Sequence, residues 1–145
     1  MTKQVRKNRS YKDQTEDDPA GAFSWDMVAN RVTSDAEVAR LFGFSTETMA
    51  TGVPIEQLIA QIHRNDRARV ARAIHAAILN GNLYRERYRV TADGVIYHWV
   101  FSAGRCFGHT DGLPTLWTGF VCEVAEPCGV AEEAGAESNV VKFRN

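Results

Sequence analysis

From Leu83 to Ala125 the chain is a run of strand-forming residues broken twice, by Asp93-Gly94 and by Asp111-Gly112. Asp-Gly between two such stretches predicts a tight hairpin turn, because glycine accepts φ > 0 at no steric cost. The pattern therefore predicts a three-stranded antiparallel meander over Leu83–Val90, Ile96–Phe107 and Thr115–Ala125. Upstream, Phe23, Trp25 and Met27 alternate with polar neighbours, the period of a half-buried strand. Asn30-Arg31 supplies a turn and Val32-Thr33 a short second strand.

Between these strand regions the period changes to that of helices. Ser34-Asp35-Ala36-Glu37 fits a capping box with Ser34 as N-cap, and the helix behind it buries Val38, Leu41 and Phe42 before stopping at Gly43. A second helix begins near Pro54, with Ile55, Leu58, Ile59 and Ile62 at helical spacing. A third is capped by Asn65 or Asp66, carries Val70, Ile74, Ala77 and Ile78 as its apolar stripe, and ends at Asn80-Gly81. Two strands, several short helices and three further strands, with no repeat and no linker, predict an α+β fold. Its core is a five-stranded antiparallel sheet with the helices on one face.

Length and composition agree with one soluble domain. The chain has 145 residues, 44% of them hydrophobic and 24% charged, with a net charge of -1. No apolar run approaches the roughly 20 residues that span a bilayer, and Met1 to Asp18 holds no signal-peptide core, so the expected location is the cytoplasm. Cys106, Cys122 and Cys128 are odd in number and lack CxxC spacing, which predicts free thiols rather than disulfides or a zinc site. The expected organisation is a flexible N-terminal segment over 1–20, in part helical, a domain over 21–126, and a flexible tail over 127–145 in which Pro127 interrupts any outgoing helix.

An ordered series of short motifs resembles the PAS domain. Trp25-Asp26 matches the opening strand, Leu41-Phe42-Gly43-Phe44 the Leu-Leu-Gly-Tyr segment, and Ile62-His63-Arg64-Asn65-Asp66-Arg67 the Ile-His-Pro-Glu-Asp-Arg segment. Glu86 to Val90, Asp93-Gly94, Trp99-Val100, Asp111-Gly112 and Gly119 follow in the family's order. The resemblance covers about Gly21 to Glu126 and implies a profilin-like cup, a curved sheet whose helices close a pocket. It departs where the proline and acidic residue after His63 are Arg64 and Asn65. The closing Asp-Ile-Thr, which joins the sheet to an outgoing signalling helix, stands here as Glu123-Val124-Ala125, with a longer carboxylate arm and no hydroxyl.

Members of this family hold haem, flavin, a small metabolite or nothing. The light-sensing flavin adduct needs an Asn-Cys-Arg-Phe-Leu-Gln run, which is missing, so that chemistry is not expected. Haem needs an axial ligand, and His75 on the third helix is the candidate, its ordinary reading being a boundary histidine. His63 is expected to bond backbone at a helix start, with His98 and His109 on the surface. Scattered histidines give no metal site, and no nucleophile stands beside a base, so no catalysis is expected. Arg85, Arg87 and Arg89 alternate along one strand, and Arg67, Arg69 and Arg72 lie near the third helix. These read as solvated faces, and nucleic acid is not expected as a partner, since the overall charge is slightly negative.

An aromatic-lined pocket would draw on Trp25, Ile74, His75, Ile78, Tyr88, Trp99, Phe101 and Phe120. On the last strand Leu116, Thr118, Phe120, Cys122 and Val124 share one face, and Trp117, Gly119, Val121 and Glu123 the other. Because both faces carry apolar residues, the outer face is expected to be covered, and a homodimer through Trp117, Val121 and Glu123 is the expectation. No kinase, cyclase or DNA-binding segment is expected in the residues after Glu126. The expected function is thus a stand-alone sensory or regulatory module of bacterial-type signalling. It would sense a small ligand or partner and act in trans on a signalling protein such as a histidine kinase. The alternative is a ligand-free dimerisation or adaptor domain with a filled core.

Overall fold

The computed structural model describes residues 19–127. The two flanking segments, Cys128 and the N-terminal charge cluster therefore lie outside the described residues. Nine elements follow in order: β1 (Ala20–Asp26), β2 (Arg31–Ser34), α1 (Ala36–Phe42), α2 (Thr46–Thr51), α3 (Ile55–Ile59), α4 (Arg64–Asn80), β3 (Tyr84–Thr91), β4 (Tyr97–Thr110) and β5 (Leu113–Glu123). The strands form one antiparallel sheet in the order β2-β1-β5-β4-β3, so the N-terminal pair joins the meander at β5. This is the α+β architecture that the sequence predicts.

Both Asp-Gly sites turn the chain by the expected means. Asp111 and Gly112 have φ of 55° and 80° and connect the paired Thr110 and Leu113. Positive φ at both central positions is the geometry whose twist matches a hairpin. At the other turn the Asp93 carboxylate accepts from the backbone N–H groups of Val95 and Ile96, which closes the loop locally.

The helix starts differ in detail from the sequence reading. Asp35, not Ser34, caps α1: one carboxylate oxygen accepts from Val38 N–H at 3.1 Å and the other from Ala22 N–H at 2.9 Å. The acid thus caps the helix and ties it to β1, a double role the Ser34 hydroxyl cannot fill. His63, not Asn65 or Asp66, caps α4, its Nδ1 accepting from Asn65 N–H at 3.0 Å. Asp66 is released for another task. It is 4% exposed and accepts from Arg89 through the backbone N–H at 2.9 Å, Nε at 2.9 Å and Nη2 at 2.7 Å. This clamp holds α4 on edge strand β3. Burial pushes the Asp66 carboxyl up, but Arg89 and Arg69 together outweigh it and hold it below the ordinary carboxylate range.

Helix α2 has no counterpart in the sequence reading. Ser45 caps it by accepting from Thr48 N–H, and Met49 is its one buried residue, too few apolar positions to show a period. All four helices lie on one face of the sheet, and the core between them includes the fully buried Val32, Val38, Met49, Val70, Val90 and Val100. No helix among the described residues is long and apolar enough to cross a membrane.

Candidate functional site

The strand register fixes which side chains face the helices. Tyr84 pairs with Gly104, Glu86 with Ser102 and Tyr88 with Val100, and across the next ladder Gly104 pairs with Gly119, Ser102 with Val121 and Cys106 with Trp117. Partners share a face and alternate residues do not. The inner face thus carries Tyr84, Tyr88, Ser102, Trp117 and Val121, joined across β1 by Phe23 and Trp25, which pair with Gly119 and Trp117.

These residues wall a cavity of about 50 Å³ against the helices. Val38 and Phe42 of α1, Leu58 and Ile59 of α3, Ile62, and Val70 and Ile74 of α4 complete it. Tyr84 stands edge-on to Trp117 with ring centroids 5.4 Å apart, and Trp25 meets Trp117 at 6.4 Å. The Trp25 indole donates to Asn30 at 3.0 Å, which fixes that ring from the β1–β2 turn. Gly119 lets β5 approach β4 closely, since a β-carbon there would lie 2.2 Å from the Ala103 carbonyl oxygen.

The polar groups of the cavity are hydroxyls. Tyr88 and Ser102 share a side-chain hydrogen bond, and burial pushes the Tyr88 phenol up to about 12. Burial also drives the Tyr84 phenol far above its ordinary value. Both rings therefore remain neutral donors across the physiological range. The Tyr84 hydroxyl has no hydrogen-bond partner among the described residues.

The structure exchanges the two sheet faces relative to the sequence reading. Trp117 and Val121, assigned to an outer dimer face, are each 2% exposed and line the cavity. Trp99, Phe101 and Phe120, assigned to the pocket, stand on the outer face, where Phe120 is 40% exposed. Trp25, Ile74 and Tyr88 do line the cavity. Ile78 packs against the core beside it. His75 is exposed and does not line the cavity, because one residue beyond Ile74 turns the helix face by about 100°. Glu123 sits at the end of β5, where its carboxylate meets Arg40 at 3.4 Å and His98 Nδ1 at 3.1 Å.

Haem does not fit these residues. The candidate axial ligand points to solvent, and a space of about 50 Å³ holds only about four water-sized spheres. Among the described residues no three His, Cys, Asp or Glu side chains gather as metal ligands.

On the outer face Phe101 and Phe120 pack at 6.1 Å between centroids, and Arg89 lies over the Trp99 ring at 5.1 Å. Register places Cys122 beside Phe101 and Ala103 beside Phe120, so the aromatic patch runs across β4 and β5. Arg85, Arg87 and Arg89 line its β3 border. The signal for this arrangement lay in β3, where Tyr84, Tyr88 and Val90 alternate with the three arginines. Carrying that alternation across the meander register puts Trp117 inside.

No curated protein shows significant similarity to the chain. Solved structures do. A sensory box histidine kinase/response regulator from Burkholderia thailandensis E264 matches at 21% identity with a TM-score of 0.64, covering 79% of this chain and 84% of that one. A domain of a histidine kinase from Haloarcula marismortui matches at 17% identity with a TM-score of 0.66, covering 81% and 99%. The N-terminal domain of a diguanylate cyclase with PAS/PAC sensor from Marinobacter aquaeolei matches at 14% identity with a TM-score of 0.63, covering 72% and 94%. At these identities the likeness is one of fold. The model of the PAS fold family matches residues 31–121, from β2 to the inward-facing Val121 of β5. With a helix-covered five-stranded sheet and a small apolar-lined cavity in place, the chain belongs to the PAS fold family.

Proposed function

We propose that the chain is a non-catalytic sensory module of signal transduction. It responds to a small molecule in the inner cavity and passes the response to other chains through the outer face of the sheet. The observation that carries this reading is that one pair of strands serves both surfaces. Ser102, Trp117 and Val121 wall the cavity, and Phe101, Phe120 and Cys122, on the same two strands, form the outer patch. A ligand that shifts β4 or β5 from within therefore repositions the patch, which biases one packing of a partner over another. Membership of the PAS fold family, together with fold likeness to domains of a sensory histidine kinase and a sensor-linked diguanylate cyclase, supports a signalling role.

The partner in this reading is a second copy of the chain, seated on the outer patch, with a signalling protein such as a histidine kinase acting downstream. A ligand-free dimerisation or adaptor domain is the second reading, and the small size of the cavity favours it. Native mass spectrometry of protein purified from its host separates the two. A dimer retaining a small organic mass supports sensing, and a dimer without one supports the adaptor. A monomer with no bound mass contradicts both.

A further inference from the structure

We infer that the cavity selects a compact, uncharged molecule bearing one hydrogen-bond acceptor, a small ketone or aldehyde, held by the Tyr84 hydroxyl. The inference rests on the sensing reading above and names what that site takes.

Three features set the class. No ionised side chain lines the cavity, and the charges nearest its tyrosines, Glu86 and Arg69, pair with each other, so a charged ligand would lose its hydration with no free counter-charge in return. The available space of about 50 Å³ corresponds to roughly four water-sized spheres, hence a ligand of about four heavy atoms. The third feature is a polar demand left open. Tyr88 and Ser102 satisfy each other, whereas Tyr84, 4% exposed, has a hydroxyl with no partner among the described residues. A buried hydroxyl in that state favours any occupant that supplies an acceptor. Because the phenol is held neutral it is a donor, and a carbonyl oxygen is the complementary group. The edge-on contact with Trp117 orients the ring, so the donor is fixed in advance of binding.

Acetone and isobutene test this directly, since they share a shape and only acetone has an acceptor. Binding of each to the full chain is measured by NMR titration, for wild type and Tyr84→Phe. The expected result is that Tyr84→Phe weakens acetone at least tenfold and leaves isobutene within about twofold, a difference in keeping with loss of one buried hydrogen bond. Equal acetone affinity in both proteins, with isobutene still bound, overturns this inference and leaves the sensing reading standing. If neither probe enters wild type, both fall. Isobutene binding also reports that the variant has kept its cavity. A measurement on wild type alone gives a second test: the carbonyl stretch of bound acetone is expected at lower frequency than in a hydrocarbon solvent, and an unshifted band overturns the inference.

Discussion

The indole of Trp117 lies over the backbone of Gly104, its Nε1 2.5 Å from where a β-carbon on Gly104 would stand. The ring occupies the space that this glycine leaves open on the inner face of β4. Gly104→Ala must therefore displace Trp117, the residue that meets both Trp25 and Tyr84. The expected cost is about 1–3 kcal/mol, as for other overpacked cores. Chemical denaturation checks the loss, and a changed near-ultraviolet circular dichroism signal checks that the indole moved.

Asp66 and Arg89 form the clamp between α4 and β3, and removing the acid leaves Arg89 facing a buried gap. Asp66→Ala is expected to lower stability by about 3 kcal/mol, the low end for a broken buried pair because Arg89 remains partly in water. The folded-state value of Asp66 lies below its unfolded one, so its contribution is present above about pH 4 and is lost as pH falls through the folded value. Glu86 acts with the opposite sign. Burial raises it, more than Arg69 lowers it, so its contribution is present at low pH and is lost as pH rises through its folded value. The difference between wild type and Asp66→Asn in an acid series of denaturation midpoints isolates the Asp66 part, and it should vanish at the acid end.

Tyr88 gives an alkaline signature. Its unfolded value is about 10 and its folded value about 12, because burial disfavours the phenolate. The stability this confers is complete below about pH 10 and is lost as pH rises towards about 12. Phenolate absorbance at 295 nm should show at least one ring ionising only with unfolding, and Tyr88→Phe should remove part of the alkaline fall in the denaturation midpoint.

How much of this was legible in the sequence depends on which signal each element carried. The hairpins were, because Asp111-Gly112 specifies its own backbone and so fixes the register from Thr110↔Leu113 onward. The helix ends at Gly43 and Gly81 were too, both glycines having the left-handed φ that stops a helix. The faces of β5 were not. This strand is flanked on both sides by others and is apolar in both parities, so Phe120 and Trp117 compete on equal terms for the core. The decision is made elsewhere, by the arginine–tyrosine alternation of β3 and by Gly104, which clears space under Trp117. Exchange of the faces moved the whole dimer assignment with it, as a period of two requires. Caps at Asp35 and His63 escaped for another reason: each side chain also answers to a tertiary neighbour or to the fold of the preceding loop, which local capping rules do not contain.

The central claim is that the outer aromatic patch, and not the inward Trp117 side, is where the signal leaves. Sedimentation equilibrium of the full chain at micromolar concentration tests it most directly. The account predicts twice the chain mass for wild type and a single chain mass for Phe120→Asp, a substitution at a 40% exposed site that leaves the cavity wall intact. A wild type that sediments as a monomer, or a Phe120→Asp variant that dimerises undiminished, would contradict it.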